Sequence, residues 1–204
     1  AAMISAERAF TLARDARLDE ADPDRLVAVA HLSMALQARG EHKQAITLLQ
    51  NALAERQNVL KNSHFQTIAT ANNLARALAD DGQAAEAESM YRHWLAIAEA
   101  SLDAQNPELA TIKANLGNLL FNEGRIDEAT ALLADAYARR VSRLGLAHPQ
   151  TLTTARNLAV MYAAQAKSDP ARYDDAERLM RAALDGTIAR FGADHRQTIE
   201  VRSE

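Results

Sequence analysis

Apolar and small residues recur along the chain at helical spacing, and the whole pattern repeats every 42 residues. Three of the four copies carry an Asn followed by Leu and a small residue, the first copy having His31 instead, and three copies place a Gly between two apolar stretches. The aligned residues are Asn73, Asn115 and Asn157, with Gly40, Gly82 and Gly124 as a second set. A fixed period of this length predicts stacked supersecondary units.

Each unit is predicted to contain two α-helices. A shorter helix A spans about 24–39, 66–81, 108–123 and 150–167, and the Gly residues end the first three, where a left-handed conformation is needed. A longer helix B follows at about 42–62, 84–104, 126–146 and 173–193. Its apolar stripe is predicted to begin with Ala45, Leu48, Leu53 and Leu60 and to recur in each unit.

Packing explains two further sets of residues in these helices. Small residues are expected to let the helix axes approach closely, and Tyr91 and Trp94 are interpreted as core or inter-helix packing residues. The small residues on helix A are Ala75, Gly117 and Ala159.

The pattern predicts one repeat array over residues 1–204, which we interpret as a fragment of a longer polypeptide. The predicted parts are a partial repeat at 1–21, repeats at about 22–63, 64–105, 106–147 and 148–194, and the start of a further repeat at 195–204. The last full unit is longer because residues 167–171 are inserted, where Asp169 is expected to cap helix B and Pro170 to open it.

This organisation predicts an all-α fold, a right-handed superhelical α-solenoid of antiparallel helix pairs. A helix pair of this kind cannot bury its apolar stripe alone, so each pair must stack on its neighbours. Helices A are expected to build the concave side and helices B the convex side. Scarce Pro and Gly, 4 and 7 residues, favour the same helical reading.

Composition excludes several functional classes. The net charge is -4 and the pI is near 5.9, which is unlike the basic surplus of nucleic-acid binders. The absence of Cys removes disulfides, thiolate zinc sites and Cys nucleophiles, and it is compatible with the cytoplasm, where we expect the protein. No apolar run has membrane-spanning length, so we expect no direct membrane insertion.

We find no sequence motif for chemistry or for a cofactor. Phosphate-binding Gly-rich loops, G-x-S-x-G and H-E-x-x-H are all absent, so we expect neither an enzyme nor a cofactor. His64, His148 and His195 recur at the repeat junctions. Residues one repeat apart are too distant to share a metal ion, so a junction hydrogen bond or a helix cap is expected instead.

The repeat resembles a tetratricopeptide repeat (TPR). The residues Asn115-Leu116-Gly117-x-x-Leu120 on helix A and Ala129-x-x-x-Leu133-x-x-Ala136 on helix B stand at the signature positions of that family. The 42-residue length and the stretch from His148-Pro149 to Asn157-Leu158-Ala159 are similar to the kinesin light chain type. Repeats of this type also occur in bacterial signalling proteins.

The resemblance implies that Asn73, Asn115 and Asn157 face a concave groove and grip the backbone of an extended peptide. A structural role, satisfying backbone groups of the adjacent repeat, is the alternative. Helical spacing adds further groove candidates: Asn72 and Arg156 before the Asn, and Arg76, Asn118 and Asn122 after it. Because Arg76 and Arg156 are cations, a peptide of polar or acidic character is expected.

We therefore predict a non-enzymatic scaffold that binds a peptide or partner protein in the groove of helices A. The alternative is a regulatory or sensory segment of a larger signalling enzyme, such as a bacterial Ser/Thr kinase. Self-association through the terminal helices is a third hypothesis.

Overall fold

The computed structural model describes residues 23–192, which form eight α-helices in four antiparallel pairs and no β-strand. The helices at the A positions are α1 Pro23–Ala38, α3 Phe65–Asp80, α5 Pro107–Asn122 and α7 Pro149–Gln165. Those at the B positions are α2 His42–Leu60, α4 Ala84–Ser101, α6 Ile126–Leu144 and α8 Arg172–Phe191. The predicted all-α helical repeat fold is confirmed.

The observed helix ends lie within three residues of the predicted ones, and the largest difference is at the end of α4, where Ser101 is the last helical residue. The partial repeat at 1–21, the start of a further repeat at 195–204 and His195 lie outside the described residues. In the described part of the chain, no helix combines the length and the apolar character needed to cross a membrane.

The repeat junctions are capped as the sequence predicts. The ring Nδ1 atoms of His64 and His148 each accept a hydrogen bond of 3.3 Å from the backbone N–H two residues on, and Asn106 does the same with its side-chain oxygen at 3.0 Å. These bonds satisfy N–H groups that have no partner within the helix. The turns from A to B pass through Gly40, Gly82 and Gly124, which have φ of 76°, 83° and 80°.

The described chain divides into two compact units between Ala104 and Gln105. In the first unit α1 approaches α3 directly, and in the second α5 approaches α7. No such approach joins α2 to α4 or α6 to α8 among the described residues. Within each unit the A helices therefore lie side by side, and the B helices pack outside them. The superhelical arrangement of the whole chain stays a prediction.

The core stripe of helix B differs from the predicted one. Ala45 and Leu53 are buried as predicted, but Leu48 and Leu60 are only partly buried. After Ala45, the centre of the buried face is formed by Leu49, Ala52 and Arg56, a spacing of four, three and four residues. In a helix of 3.6 residues per turn, residues at this spacing project from nearly the same side. Residues separated by three, five and seven positions project over a wider range of directions, so some of them lie at the edges of the buried face.

Aromatic and small residues pack as the sequence predicts. Tyr91 and Trp94 lie on α4 and expose 2% and 4% of their surface. On α5, a Cβ atom added at Gly117 would stand 3.1 Å from the carbonyl oxygen of Ala129 on α6. The absence of a side chain at Gly117 therefore lets α5 and α6 approach closely.

The insertion in the last unit does not cap α8 as predicted. Asp169 accepts a hydrogen bond of 3.3 Å from the backbone N–H of Ala171, while the first residue of α8 is Arg172. Asp169 and Pro170 form a short turn before the helix, because the Asp side chain reaches the N–H two residues on. The Arg172 guanidinium then lies 5.1 Å from the ring centroid of Tyr162 on α7.

An arginine that is buried in the first unit and partly buried in the second links helix B to the next helix A. Arg56 on α2 is 2% exposed and donates a 2.6 Å hydrogen bond to the Thr70 hydroxyl on α3. Arg140 on α6, two repeats later, donates to the Thr154 hydroxyl on α7. It also donates to Thr111 on α5 at 3.5 Å, so one guanidinium links α6 to both α5 and α7.

Glu108 stands in the first turn of α5, near this arginine. Its Oε2 atom is buried and has no hydrogen-bond partner among the described residues. Burial raises the pKa of the Glu108 carboxyl, and the positive charge of Arg140 opposes the shift. The equivalent residues of the neighbouring repeats are neutral, Gln66 and Gln150.

Lys61 adopts a backbone conformation that suits glycine. It follows α2 with φ 70° and ψ 168°, and Gly145 occupies the equivalent position after α6 with φ 81° and ψ 168°. A side chain at such angles costs about 1–3 kcal/mol. Lys61 therefore stores strain that the third repeat avoids.

We expect Lys61→Gly to stabilise the protein. Relief of the strain exceeds the added entropy loss of Gly, so the free energy of unfolding should rise by about 1 kcal/mol and the melting temperature by about 2–4 °C. Thermal melts followed by circular dichroism measure the change. Lys61→Ala is the control, because it removes the same charge and keeps the strain; equal melting temperatures for the two variants contradict the explanation.

We expect Glu108→Gln to change how stability depends on pH. Because the folded-state pKa is raised, the folded wild type binds more protons than the unfolded chain, and its stability falls as pH rises from about 4.5 through the folded-state value. The stability of the variant relative to wild type should therefore be greater near neutral pH than at pH 4.5. Urea denaturation at both pH values tests this, and an equal difference at both is the contrary result.

Candidate functional site

One stripe of each helix A is left accessible by the packing, and it contains the aligned asparagines. Asn73, Asn115 and Asn157 are all half-buried, while the Leu that follows each of them is buried. The stripe continues one turn later with residues of mixed chemistry and intermediate or high exposure: Met34, Arg76, Asn118 and Val160. The core side and the accessible side of helix A are therefore distinct.

In the second unit this stripe borders an open cavity of about 250 Å³ between α5 and α7. Its lining residues are Asn118, Phe121, Asn122, Asn157, Val160 and Met161. Three of the predicted site residues, Asn118, Asn122 and Asn157, are thus brought together. We call this cavity and its six lining residues the α5–α7 groove.

Two of the groove amides are hydrogen-bonded across the helices. The Nδ2 group of Asn157 on α7 donates to Oδ1 of Asn118 on α5 at 3.2 Å. At the last residue of α7, the Gln165 amide donates to the carboxylate of Asp127 in the first turn of α6 at 2.7 Å. The Asn118–Asn157 pair therefore joins α5 and α7 at the open side, while Arg140 joins them through Thr111 and Thr154.

The other predicted residues of this unit do not line the cavity. Asn115 lies one turn before Asn118 on α5 and is half-buried. Arg156 directly precedes Asn157 on α7 and is also half-buried. Because adjacent helical residues point about 100° apart, Arg156 and Asn157 present different faces of α7.

In the first unit the predicted residues have unequal access. Asn73 and Arg76 on α3 are half-buried, whereas Asn72 exposes only 5% of its surface. Because so little of its surface is exposed to solvent, Asn72 belongs to the packed side of α3, and we do not include it among the proposed contact residues. The residue before an aligned Asn turns toward the core here, as the buried Ala114 does in the next repeat.

The accessible stripe of the first unit is charged. Arg76 is followed one turn later by the exposed Asp80, and both charges act on the buried Tyr91 hydroxyl of α4. Burial raises the pKa of Tyr91 well above its usual value, an effect that Arg76 opposes and Asp80 adds to. Tyr91 is therefore a neutral phenol at physiological pH, and this stripe differs chemically from the α5–α7 groove.

The groove contains groups for hydrogen bonding and for apolar contact. In the part of the chain that the structure describes, no cluster of three His, Asp or Glu residues is placed to hold a metal ion. The six groove residues carry amides, an aromatic ring, a thioether and an aliphatic side chain. Such a site is suited to hold a peptide backbone and to cover apolar side chains.

Sequence reasoning missed Phe121 and Met161. Both follow a groove Asn by three or four residues, Phe121 after Asn118 and Met161 after Asn157. The predicted set used positions three and seven residues after the aligned Asn and omitted the fourth. Because i+3 and i+4 share a face, testing both spacings finds Met161 directly and extends the groove to Phe121.

Comparisons with known proteins identify the repeat. A family model described as tetratricopeptide repeat matches residues 25–100 and 108–173, and a second model with the same description matches residues 151–197. Together the matches cover well over half of the chain, and neither model describes an enzyme family. No curated protein matches the sequence.

Solved structures with similar folds include two kinesin light chain-like proteins. One contains nearly identical TPR-like repeats of a Podosopora anserina protein assigned as a kinesin light chain. Its TM-score is 0.73 and its sequence identity is 24%, and the match covers 89% of this chain and 84% of that one. BtubC (BKLC) of P. vanneervenii has a TM-score of 0.80 and 21% identity, with coverage of 98% and 78%.

A third similar structure is Bacillus thuringiensis PlcR in complex with the peptide PapR7 and DNA, with a TM-score of 0.68, 14% identity and coverage of 98% and 67%. At these identities the structural similarity establishes the fold, whose recurrent helix pairs agree with the two family models. The chain belongs to the tetratricopeptide repeat family, in a form that is structurally similar to kinesin light chain repeats.

Proposed function

We propose that this protein is a non-enzymatic interaction module that binds an extended peptide segment of a partner protein in the α5–α7 groove. One observation carries the proposal: the side-chain amides of Asn118 and Asn157 meet at 3.2 Å on the border of an open cavity. Two helices thus place polar groups at one point of an accessible surface that is otherwise largely apolar.

The amide pair matches the hydrogen-bonding needs of a peptide backbone. A side-chain amide has two N–H donors and an oxygen with two acceptor sites. The bond between the two residues uses one N–H of Asn157 and one acceptor site of Asn118. The N–H groups of Asn118 and the oxygen of Asn157 can then pair with the C=O and N–H of a bound peptide, whatever its side chains.

The fold supports the same interpretation. PlcR, whose fold is similar to this chain, was crystallised with the peptide PapR7. A protein of similar fold thus occurs in complex with a peptide, which supports a peptide ligand for this chain. In this protein, Asn118, Asn122 and Asn157 give the α5–α7 groove a concentration of amides that suits backbone recognition.

We expect Asn157→Ala to weaken peptide binding and to leave the fold intact. Peptides are first selected on the wild-type protein from a phage-displayed random dodecapeptide library, and synthetic copies are measured by calorimetry. Loss of the backbone contact and of the amide pair should reduce affinity about tenfold. The melting temperature should change little, because Asn157 is half-exposed and the helix gains a better helix former.

Asn58→Ala is the matched control, since Asn58 is an exposed residue of α2 in the other unit. It should leave the affinity for the same peptides unchanged. Equal affinity of wild type and Asn157→Ala for every selected peptide would falsify the proposed site, as would an equal loss with Asn58→Ala.

A further inference from the structure

The apolar half of the α5–α7 groove indicates which side chain a bound peptide presents. Val160 is 48% exposed, Phe121 is half-exposed, and Met161 is 1% exposed. The three come from both helices that border the cavity, Phe121 from α5 and the others from α7. All three line the cavity, with Met161 as its buried part, together with Asn118 and Asn157.

The groove offers no charge to a ligand. None of the six lining residues is ionisable, and the nearest cation in sequence, Arg156, is outside the lining. A charged side chain placed there loses hydration without gaining a partner, which is costly in an apolar environment. An aliphatic side chain gains free energy in proportion to the apolar area that it removes from water.

The volume of the cavity indicates which groups it can accommodate. The cavity has a volume of about 250 Å³. An apolar protein cavity of about 150 Å³ accepts benzene. The groove therefore has room for one side chain of the size of Leu, Ile or Met together with part of its backbone.

We propose that the α5–α7 groove selects a peptide with a neutral aliphatic side chain seated on Phe121, Val160 and Met161. The amides of Asn118 and Asn157 hold the peptide units next to that residue. This inference rests on the proposed peptide-binding function and specifies its ligand. It replaces the polar or acidic peptide expected from Arg76 and Arg156, because neither of these residues lines the cavity.

The test measures the affinity of the selected peptides and their variants for the wild-type protein and for a variant with a charge in the groove. Alanine scanning of each peptide whose binding depends on Asn157 identifies its anchor, the residue whose loss weakens binding most. We expect an aliphatic anchor, and its replacement by Lys should reduce affinity at least about tenfold. Val160→Glu should weaken the aliphatic peptide by about the same factor and strengthen the Lys-substituted one.

Val59→Glu is the matched control, because Val59 has a similar exposure of 46% on α2 of the other unit. It should leave both affinities unchanged. Val160→Ser supplies a second variant that adds no charge and should weaken the aliphatic peptide only. Circular dichroism melts confirm that each variant is folded before its affinity is compared.

The outcomes separate this inference from the proposed function. Peptides that bind independently of Asn157 overturn both. Peptides that depend on Asn157 but carry a charged anchor, or that bind Val160→Glu as well as wild type, overturn the aliphatic preference and leave the groove as the binding site. Both are supported if the peptide has an aliphatic anchor and if Val160→Glu binds the Lys-substituted peptide more tightly than the wild type does.

Discussion

The structure depends on close contact between the two helices of each pair, which small residues make possible. Ala45, Ala87 and Ala129 begin the core stripe of helix B and are each fully buried. Opposite Ala129, Gly117 brings the backbone of α5 close to that of α6. A pair packed this tightly still leaves apolar surface on one flank, so the next pair must cover it. Stacking is therefore a consequence of the pair itself.

Hydrogen bonds from arginine to threonine join successive helix pairs within each unit. Arg56 and Arg140 occupy equivalent buried or partly buried positions, and each donates to a Thr hydroxyl on the following helix A. The intervening repeat has Ala98 and Ile112 at these two positions. The arginine contact thus recurs every second repeat, and in the second unit Arg140 links the same two helices that border the groove.

The sequence predicted the helices well because their ends carry local chemistry. His64, Asn106 and His148 cap helices through their own side chains, and the glycines adopt positive φ, so each boundary is set by a few neighbouring residues. The core stripe of helix B was harder to predict. Ala, Leu and Met are so frequent here that several spacings fit, and only contacts with the partner helix distinguish Leu49 from Leu48.

The site shows the same limit of sequence reasoning. The aligned position of Asn157 was predictable from the repeat and its resemblance, but the partner of its amide was not. Asn118 lies 39 residues earlier and on another helix, and its contact depends on how α5 and α7 are arranged. Asn72 was misplaced for a related reason. A residue next to an accessible Asn points in another direction, and the neighbouring helix decides whether that direction is covered.

Separate faces of helix A allow the fold and the binding surface to vary independently. The core face is uniform, since Leu32, Leu74, Leu116 and Leu158 are equivalent and all buried. Two positions later, the accessible face changes from Met34 to Arg76, Asn118 and Val160. A substitution on the accessible face removes little buried area, so it alters what the surface can contact at small cost in stability. The repeat can therefore hold one architecture while each unit presents a different chemistry, charged on α3 and uncharged in the α5–α7 groove.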